Sequence, residues 1–261
     1  TEKDLNKVEF TTEFRELVPG KVWIVKEPLA VHKNDDPLLI QSSIAKLQSG
    51  ELVIINPTDF SPESKIKIDA LGPVKAIVTT TGGHGKGAEL AQNLWPNAKL
   101  YGTDPKRKHD RPHLRWDGFL SNDGKAVFGN ELPYHQIEGQ IFNEVVLYHR
   151  SSHALLGMTD LTIDMKDIKK MPPQDIPWSF RVYMFGLGVW RGPFTRDIET
   201  QSYMNAFAYS RYEMRKSFIQ TFMHDIKYIT LGHGGVIEGD NPVQTFTDHY
   251  QWALDPQKEP S

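Results

Sequence analysis

The runs Leu52-Val53-Ile54-Ile55-Asn56-Pro57 and Val74-Lys75-Ala76-Ile77-Val78-Thr79-Thr80-Thr81-Gly82-Gly83-His84-Gly85-Lys86-Gly87 carry the architecture of this chain. Each opens with a short, mostly β-branched apolar segment of strand length. The first is closed by an Asn-Pro turn signal. Between them, Ser61-Pro62-Glu63 starts a helix, with Ser61 as N-cap and Pro62 at the first helical position, where its missing N–H costs nothing. That helix is expected to carry Ile66 and Leu71 inward and to stop at Gly72-Pro73. After the glycine run, a second helix covers residues 88–94 and ends at Trp95-Pro96-Asn97; residues 99–102 form another strand. The order strand–helix–strand–glycine loop–helix–strand is an α/β arrangement.

Outward from this block, residues 21–25 read as a strand and residues 104–117 as a polar loop. Residues 131–160 read as a hairpin, with strands 143–148 and 154–158 joined by Arg150-Ser151-Ser152-His153. Residues 166–198 are a Pro- and aromatic-rich insertion or lid, with Trp178, Phe180, Tyr183, Phe185 and Trp190 either roofing an apolar pocket or packing on the body. A long helix is expected over residues 199–224, because Met204, Phe207, Ala208, Arg211, Phe218 and Phe222 fall on one side at helical spacing. Residues 227–231 are a last strand that runs into Gly232-His233-Gly234-Gly235, and residues 255–261 are a frayed tail.

The 261 residues suit a single domain over 1–261. Thirty Lys+Arg against 33 Asp+Glu leave a net charge of −3. That balance excludes a strongly basic nucleic-acid coat and a polyacidic disordered chain. The absence of cysteine rules out disulfides, thiolate metal sites and Cys nucleophiles. No apolar run reaches the roughly 18 residues of a membrane span. The charged start of the chain shows no secretory signal, and the one Asn-x-Thr, Asn56-Pro57-Thr58, has Pro in the forbidden position. The absent cysteines and sequons lean towards the cytoplasm, and neither nucleic acid nor membrane is expected as partner; a small-molecule substrate is expected only with the metal-enzyme reading that follows.

His84, Asp160 and His233 share one placement: each follows a predicted strand, and both histidines are flanked by glycine. Open α/β sheets collect functional groups at strand ends. Two imidazoles and a carboxylate are the donors of open catalytic zinc sites and, in facial array, of Fe(II) sites. A histidine in a glycine loop is more commonly a hydrogen-bonded loop residue, and pattern alone leaves both readings open. The glycine run could also cradle a phosphate, but it lacks the Walker spacing and its Lys-Ser/Thr pair. Residues 106–113 are the most basic stretch, fit either to steer an anion or to stay a solvated loop.

The same order of elements resembles the first half of a metallo-β-lactamase-like fold. More closely, it is similar to a domain family of unknown function placed in that superfamily. The resemblance rests on Leu71-Gly72-Pro73-Val74-Lys75, on Arg111-Pro112-His113-Leu114-Arg115-Trp116-Asp117-Gly118, on Asn143-Glu144-Val145-Val146 through Tyr148-His149-Arg150 to Thr159-Asp160-Leu161, and on Gly232-His233-Gly234. It covers residues 20–240. It implies an αββα sandwich: two mixed sheets face to face, helices outside, a metal site on one edge. The superfamily's first motif is His-x-His-x-Asp-His; here the corresponding residues are Thr79-x-Thr81-x-Gly83-His84. The superfamily's next histidine aligns with Gln140. One of the usual two metal sites has thus lost its ligands, and the other keeps His84, Asp160 (normally the bridging carboxylate) and His233. One divalent ion, Zn or Fe(II), is the implied cofactor. Three readings stay open: a mononuclear metal enzyme, a metal-free binding or catalytic pocket, or three relics that satisfy one another's hydrogen bonds.

Two further residues are candidates for the chemistry. Glu144, at the start of a hairpin strand, is a possible fourth ligand or general base, or else a strand-end carboxylate. Gln140 takes the place of a lost ligand. His135 and Glu138 lie just before the hairpin and could approach the site, and the hydroxyls of Thr79, Thr80 and Thr81 could line it.

Overall fold

The computed structural model describes residues 13–27, 40–104, 106–120, 127–164, 178, 182, 198–199 and 208–254. Most of the expected insertion at 166–198 and all of the tail at 255–261 lie outside the described residues. The first half opens with β1 (Glu13–Val18), β2 (Val22–Glu27), β3 (Ile40–Lys46) and β4 (Leu52–Ile55), each antiparallel to its predecessor. Helix α1 (Pro62–Leu71) then leads to β5 (Val74–Val78), parallel to β4. Helix α2 (Gly85–Leu94) leads to β6 (Lys99–Gly102), and the short α3 (Arg107–Asp110) to β7 (Trp116–Phe119), both strands adding in parallel. The loop expected at 104–117 therefore holds a helical turn and the start of a strand.

Helix α1 begins where its sequence says it should. The Ser61 hydroxyl accepts from the Ser64 amide at 3.2 Å, an N-cap bond that satisfies one of the helix's orphan donors. Buried Glu27 accepts from the Ser61 amide and from both serine hydroxyls, tying the cap to β2. The inward face of this helix differs from the expectation. Ser64 and Ile68, four apart, are buried, whereas Ile66 is 70% exposed and Leu71 is half-buried. Two residues along a helix turn the side chain through about 200°, so a face set by Ser64 and Ile68 leaves Ile66 in water. Ile68→Ala should cost about 2–3 kcal/mol. Ile66→Ala should change the unfolding free energy by less than about 0.5 kcal/mol. Urea denaturation of both variants checks the pair.

The second half contains β8 (Tyr134–Gln136), β9 (Val145–His149), β10 (Ala154–Asp164) and β11 (Ile198–Glu199). Then come α4 (Arg211–Thr221), β12 (Tyr228–His233), β13 (Val236–Glu238), α5 (Pro242–His249) and α6 (Gln251–Leu254). The hairpin is present: β9 and β10 pair antiparallel, joined by one 3₁₀ turn at Arg150–Ser152 and by His153 at φ 55°. Strand β12 lies parallel to β10 and runs two residues past the expected end, taking in Gly232 and His233. The long helix expected over 199–224 is shorter. Ala208 instead bridges Gln140 as extended chain, and Ser210 is extended (φ −146°, ψ 105°) and caps α4 by accepting from the Glu213 amide. Met204 and Phe207 lie outside the described residues.

The strand order is β7-β6-β5-β4-β3-β12-β10-β9-β8. The two expected sheets are joined by one pair, His233 opposite Ile40, so a single mixed sheet curls over to face itself. Side-chain alternation along a strand explains the layers. Val53, Ile55, Ala76 and Val78 point inward and meet Val145, Leu147, Ala154 and Leu156 from the other half. Ile54, Ile77 and Leu100 point outward under α1 and α2, against Ile68, Ala88 and Ala91. On the far side, Leu155, Met158 and Leu231 lie under Met214, Phe218, Phe246 and Tyr250. The result is an αββα sandwich.

Two glycines are demanded by this packing. Gly157 has φ +86°, and a Cβ there would stand 2.6 Å from Thr80 Cγ2 and 2.8 Å from Ile55 Cγ2. A Cβ on Gly87 would stand 1.9 Å from the Pro57 carbonyl oxygen. That contact seats α2 on the loop after β4 and gives this glycine a packing reason independent of any phosphate.

Candidate metal centre

Strands β5, β10 and β12 run towards one edge of the sandwich: His84 lies in the loop between β5 and α2, Asp160 lies within β10, which continues past the expected end at residue 158, and His233 closes β12. His84 is the N-cap residue of α2 but makes no capping bond with its side chain, so its imidazole is available to lean over the sheet edge. His233 is the last residue of β12. Asp160 lies where β10 departs from regular pairing: its register with β12 shifts between Leu155 and Met158 and again between Met158 and Ile163.

Glu144 explains how that irregular strand is held. Its carboxylate accepts from the amides of Thr159 (2.8 Å), Asp160 (2.7 Å) and Leu161 (3.0 Å). Successive N–H groups of a flat strand point to opposite sides. Three in a row converging on one carboxylate therefore mean that the chain is bent around it. The bend presents Asp160 to the two histidines. Glu144 is fully buried. Burial and the charge of Asp160 push its carboxyl up from the usual range, and the three amides oppose them. The candidate catalytic roles of Glu144 and Gln140 meet a geometric obstacle, because both side chains are engaged by backbone. Gln140 donates to the Ile137 carbonyl and accepts from the Phe142 amide, each at 2.5 Å. The Phe142 carbonyl in turn accepts from Gly82 at 3.1 Å, so Gln140 shapes the loop that supports the glycine run.

The three donors meet. His84 Nε2 is 3.2 Å from Asp160 Oδ1, His233 Nε2 is 3.2 Å from His84 Nε2, and His233 Nε2 is 3.7 Å from Asp160 Oδ1. The side chains are 9–10% exposed, so the cluster is sunk but reachable. The second oxygen of Asp160, Oδ2, is taken by the Thr81 hydroxyl, which accepts from the Gly83 amide at 3.2 Å. A Cβ on Gly83 would lie 3.1 Å from that same oxygen. Burial alone would raise the Asp160 carboxyl. The charge of His84, with hydrogen bonds from His233 and His84, outweighs it and holds the group well below the usual carboxylate range.

These residues fit a metal ion. Donors at about 2.0–2.2 Å from a tetrahedral ion stand about 3.3–3.6 Å from one another, and the observed separations of 3.2–3.7 Å bracket that range. The set contains two imidazoles and a carboxylate, with all the donor atoms within 4.8 Å of one another. One feature is incomplete: His233 Nδ1 is buried with no partner among the described residues, whereas ligand histidines ordinarily donate that N–H.

The other candidates go elsewhere. His135 pairs with His224, and the Glu138 amide donates to Ser217. Among the described residues neither joins the three donors. Thr80 shares a 2.6 Å hydrogen bond with Thr159 beneath the site. The basic stretch folds back on α2, with Arg111 and His113 within 3.6 Å and 3.5 Å of Glu89.

No protein-family model matches the sequence, and no curated protein matches it. Solved structures do. A metallo-β-lactamase from Pontibacter korlensis superposes with a TM-score of 0.60 at 16% identity, over 95% of this chain and 100% of that one. The metallo-β-lactamase FIM-1 from Pseudomonas aeruginosa, in its mono-zinc form, gives 0.60 at 13% identity over 95% and 98%. The flavodiiron protein from Giardia intestinalis gives 0.61 at 15% identity over 95% of this chain and 60% of that one. At such identities the likeness establishes the fold. The chain has the fold of the metallo-β-lactamase-like superfamily.

Proposed function

We propose that this protein is a metal-dependent enzyme with a mononuclear centre, acting on a small organic substrate. The observation that carries the reading is the convergence of His84, Asp160 and His233 at ligand spacing while Thr81 occupies the remaining oxygen of Asp160. The hydroxyl stands where the superfamily motif places a second histidine, and it turns a bridging carboxylate into a one-sided donor. Glu144 fixes the backbone of that donor, and Asp160 fixes the ring of His84. Two solved structures of the same fold support a metal of either kind: FIM-1 in a mono-zinc form, which also supports a single ion, and a flavodiiron protein, whose name carries iron. A zinc ion would supply a Lewis acid for hydrolysis of an ester, lactone or related bond, and an iron(II) ion would supply O₂ chemistry. Location in the cytoplasm is part of the same proposal.

Elemental analysis of untagged protein, purified without chelators and dialysed exhaustively, tests it. Zinc or iron near one equivalent per chain is expected, and its identity selects hydrolytic or O₂-consuming assays. Two tightly held equivalents overturn the mononuclear reading. No metal, even after anaerobic reconstitution with iron(II) and zinc, overturns the metalloenzyme.

A further inference from the structure

Gly85 follows His84, opens α2 and is buried. Its φ is not positive, so the backbone does not require glycine there. Space does: a Cβ would stand 2.4 Å from Arg111 Nε, 2.9 Å from its Cδ and 3.2 Å from its Cζ. The missing side chain is the seat of a guanidinium. Arg111 comes from the segment after β6, and β6 lies parallel beside β5, so this segment and His84 leave the sheet at the same edge. Consecutive Cα atoms are about 3.8 Å apart. The guanidinium therefore rests one residue from a candidate ligand, within the span of one small molecule from the centre.

Little in the protein uses this charge. Among the described residues its ionic partner is Glu89, whose Oε2 stands 3.6 Å from Arg111 Nη1, too far for a hydrogen bond. The same oxygen is 3.2 Å from Lys86 Nζ and 3.5 Å from His113 Nε2. The Lys86 ammonium, opposed by burial and helped by His113, holds the Glu89 carboxyl below the usual range. Two cations thus face one carboxylate, and the surplus is positive. Lys106, Lys108 and His109 are exposed on the same segment and do not offset it. Asp104 is engaged elsewhere, accepting from the Lys106 amide at 2.9 Å and from Asn143 Nδ2 at 3.3 Å. The Arg111 side chain is 29% exposed, open to a ligand yet partly shielded from water.

We infer that Arg111 anchors the substrate, taking a carboxylate or phosphate group at one end of a small anion whose other end reaches His84, Asp160 and His233. The planar guanidinium matches two oxygens of either group. Holding the remote end restricts where the reacting end can sit, which is the use of a positioning contact. The role in substrate binding rests on the metalloenzyme reading; the capture of an oxyanion at Arg111 does not.

Two-dimensional NMR of the ¹⁵N-labelled full chain tests the assignment, with inorganic phosphate and succinate added separately at constant ionic strength. The titrations are run on the chain as purified and again after metal removal. Saturable shifts of the Gly85 amide and of Arg111 Nε–H are expected in both, and the tighter probe names the group. Arg111→Gln should weaken that probe about tenfold, the loss of one charge-assisted contact. Gly85→Ala keeps the arginine but fills its seat, and should weaken binding several-fold. Lys108→Gln removes an exposed cation of the same segment and should change nothing. All variants are compared at matching circular dichroism. Shifts that do not saturate, wild-type binding in Arg111→Gln or Gly85→Ala, an equal loss in Lys108→Gln, or binding that vanishes with the metal each overturn the anchor. The two failures stay distinct: a chain that holds no metal still reports at Arg111, and a chain without the anion site leaves the mononuclear centre standing.

Discussion

Asp160→Ala should empty the centre: metal per chain falls from near one to under a tenth after dialysis, with affinity down at least a hundredfold. Changes to residues that merely support a ligand already cost 10–100-fold, and Asp160 is the anionic donor of the three. Its loss leaves two neutral rings 3.2 Å apart with no charge to offset a divalent ion. Asp160→Asn sharpens the test. The amide keeps the shape and one accepting oxygen, so the fold should survive while the metal is still lost. A ligand that binds only the folded state at 100 times its Kd adds about 2.7 kcal/mol. EDTA should therefore lower the melting temperature of the wild-type chain and leave both variants unmoved. Three relics that satisfy one another would give the opposite pattern: no response to EDTA in any of them, and loss of stability in the alanine variant alone.

His84, Asp160 and His233 could be picked out in the sequence because each follows an apolar strand run, and strand ends in an α/β sheet share an edge. What stayed hidden has a common physical cause: it depends on contacts between distant segments. Strand β3 is nearly all buried yet carries Gln41, Ser42 and Ser43, so no apolar pattern announces it. Its polar groups are spent across the sheet, Ser42 donating to the Asn56 carbonyl, Ser43 to Thr230, and Gln41 to the carbonyls of Leu231 and Gly235. The pairing of this strand with β12 joins what the resemblance presents as two sheets. The apolar spacing from Met204 to Phe222 looked continuous, but Ser210 breaks it by capping α4, and Ala208 before it pairs with Gln140 rather than coiling. Ile66 had the right chemistry for a core and the wrong angle. Glu144 drew attention as a carboxylate near the site, but its partners are backbone amides of a bend that no local pattern encodes.

That bend gives Glu144 the second large effect. Glu144→Ala would leave three buried amides without an acceptor, at about 1–3 kcal/mol each, less what entering water restores. We expect a loss of about 3–6 kcal/mol in unfolding free energy and at least tenfold weaker metal binding, because the segment carrying Asp160 is no longer held. Glu144→Gln separates positioning from catalysis. Its amide oxygen can serve two of the three donors, and its NH₂ must face the third, so both stability and metal affinity should fall by part of the alanine effect. A general base would behave differently: the near-isosteric glutamine would abolish turnover and leave melting temperature and metal content at wild-type values. The two carboxylates also act on each other, since the charge of Asp160 is one reason the Glu144 carboxyl is raised. An ion on Asp160 offsets that charge. Loading the centre should therefore make the buried Glu144 easier to ionise, tighten its hold on the amides of Thr159, Asp160 and Leu161, and slow their hydrogen exchange relative to the metal-free chain. Exchange at these three amides that is indifferent to metal would show that Glu144 supports the fold alone and not the centre.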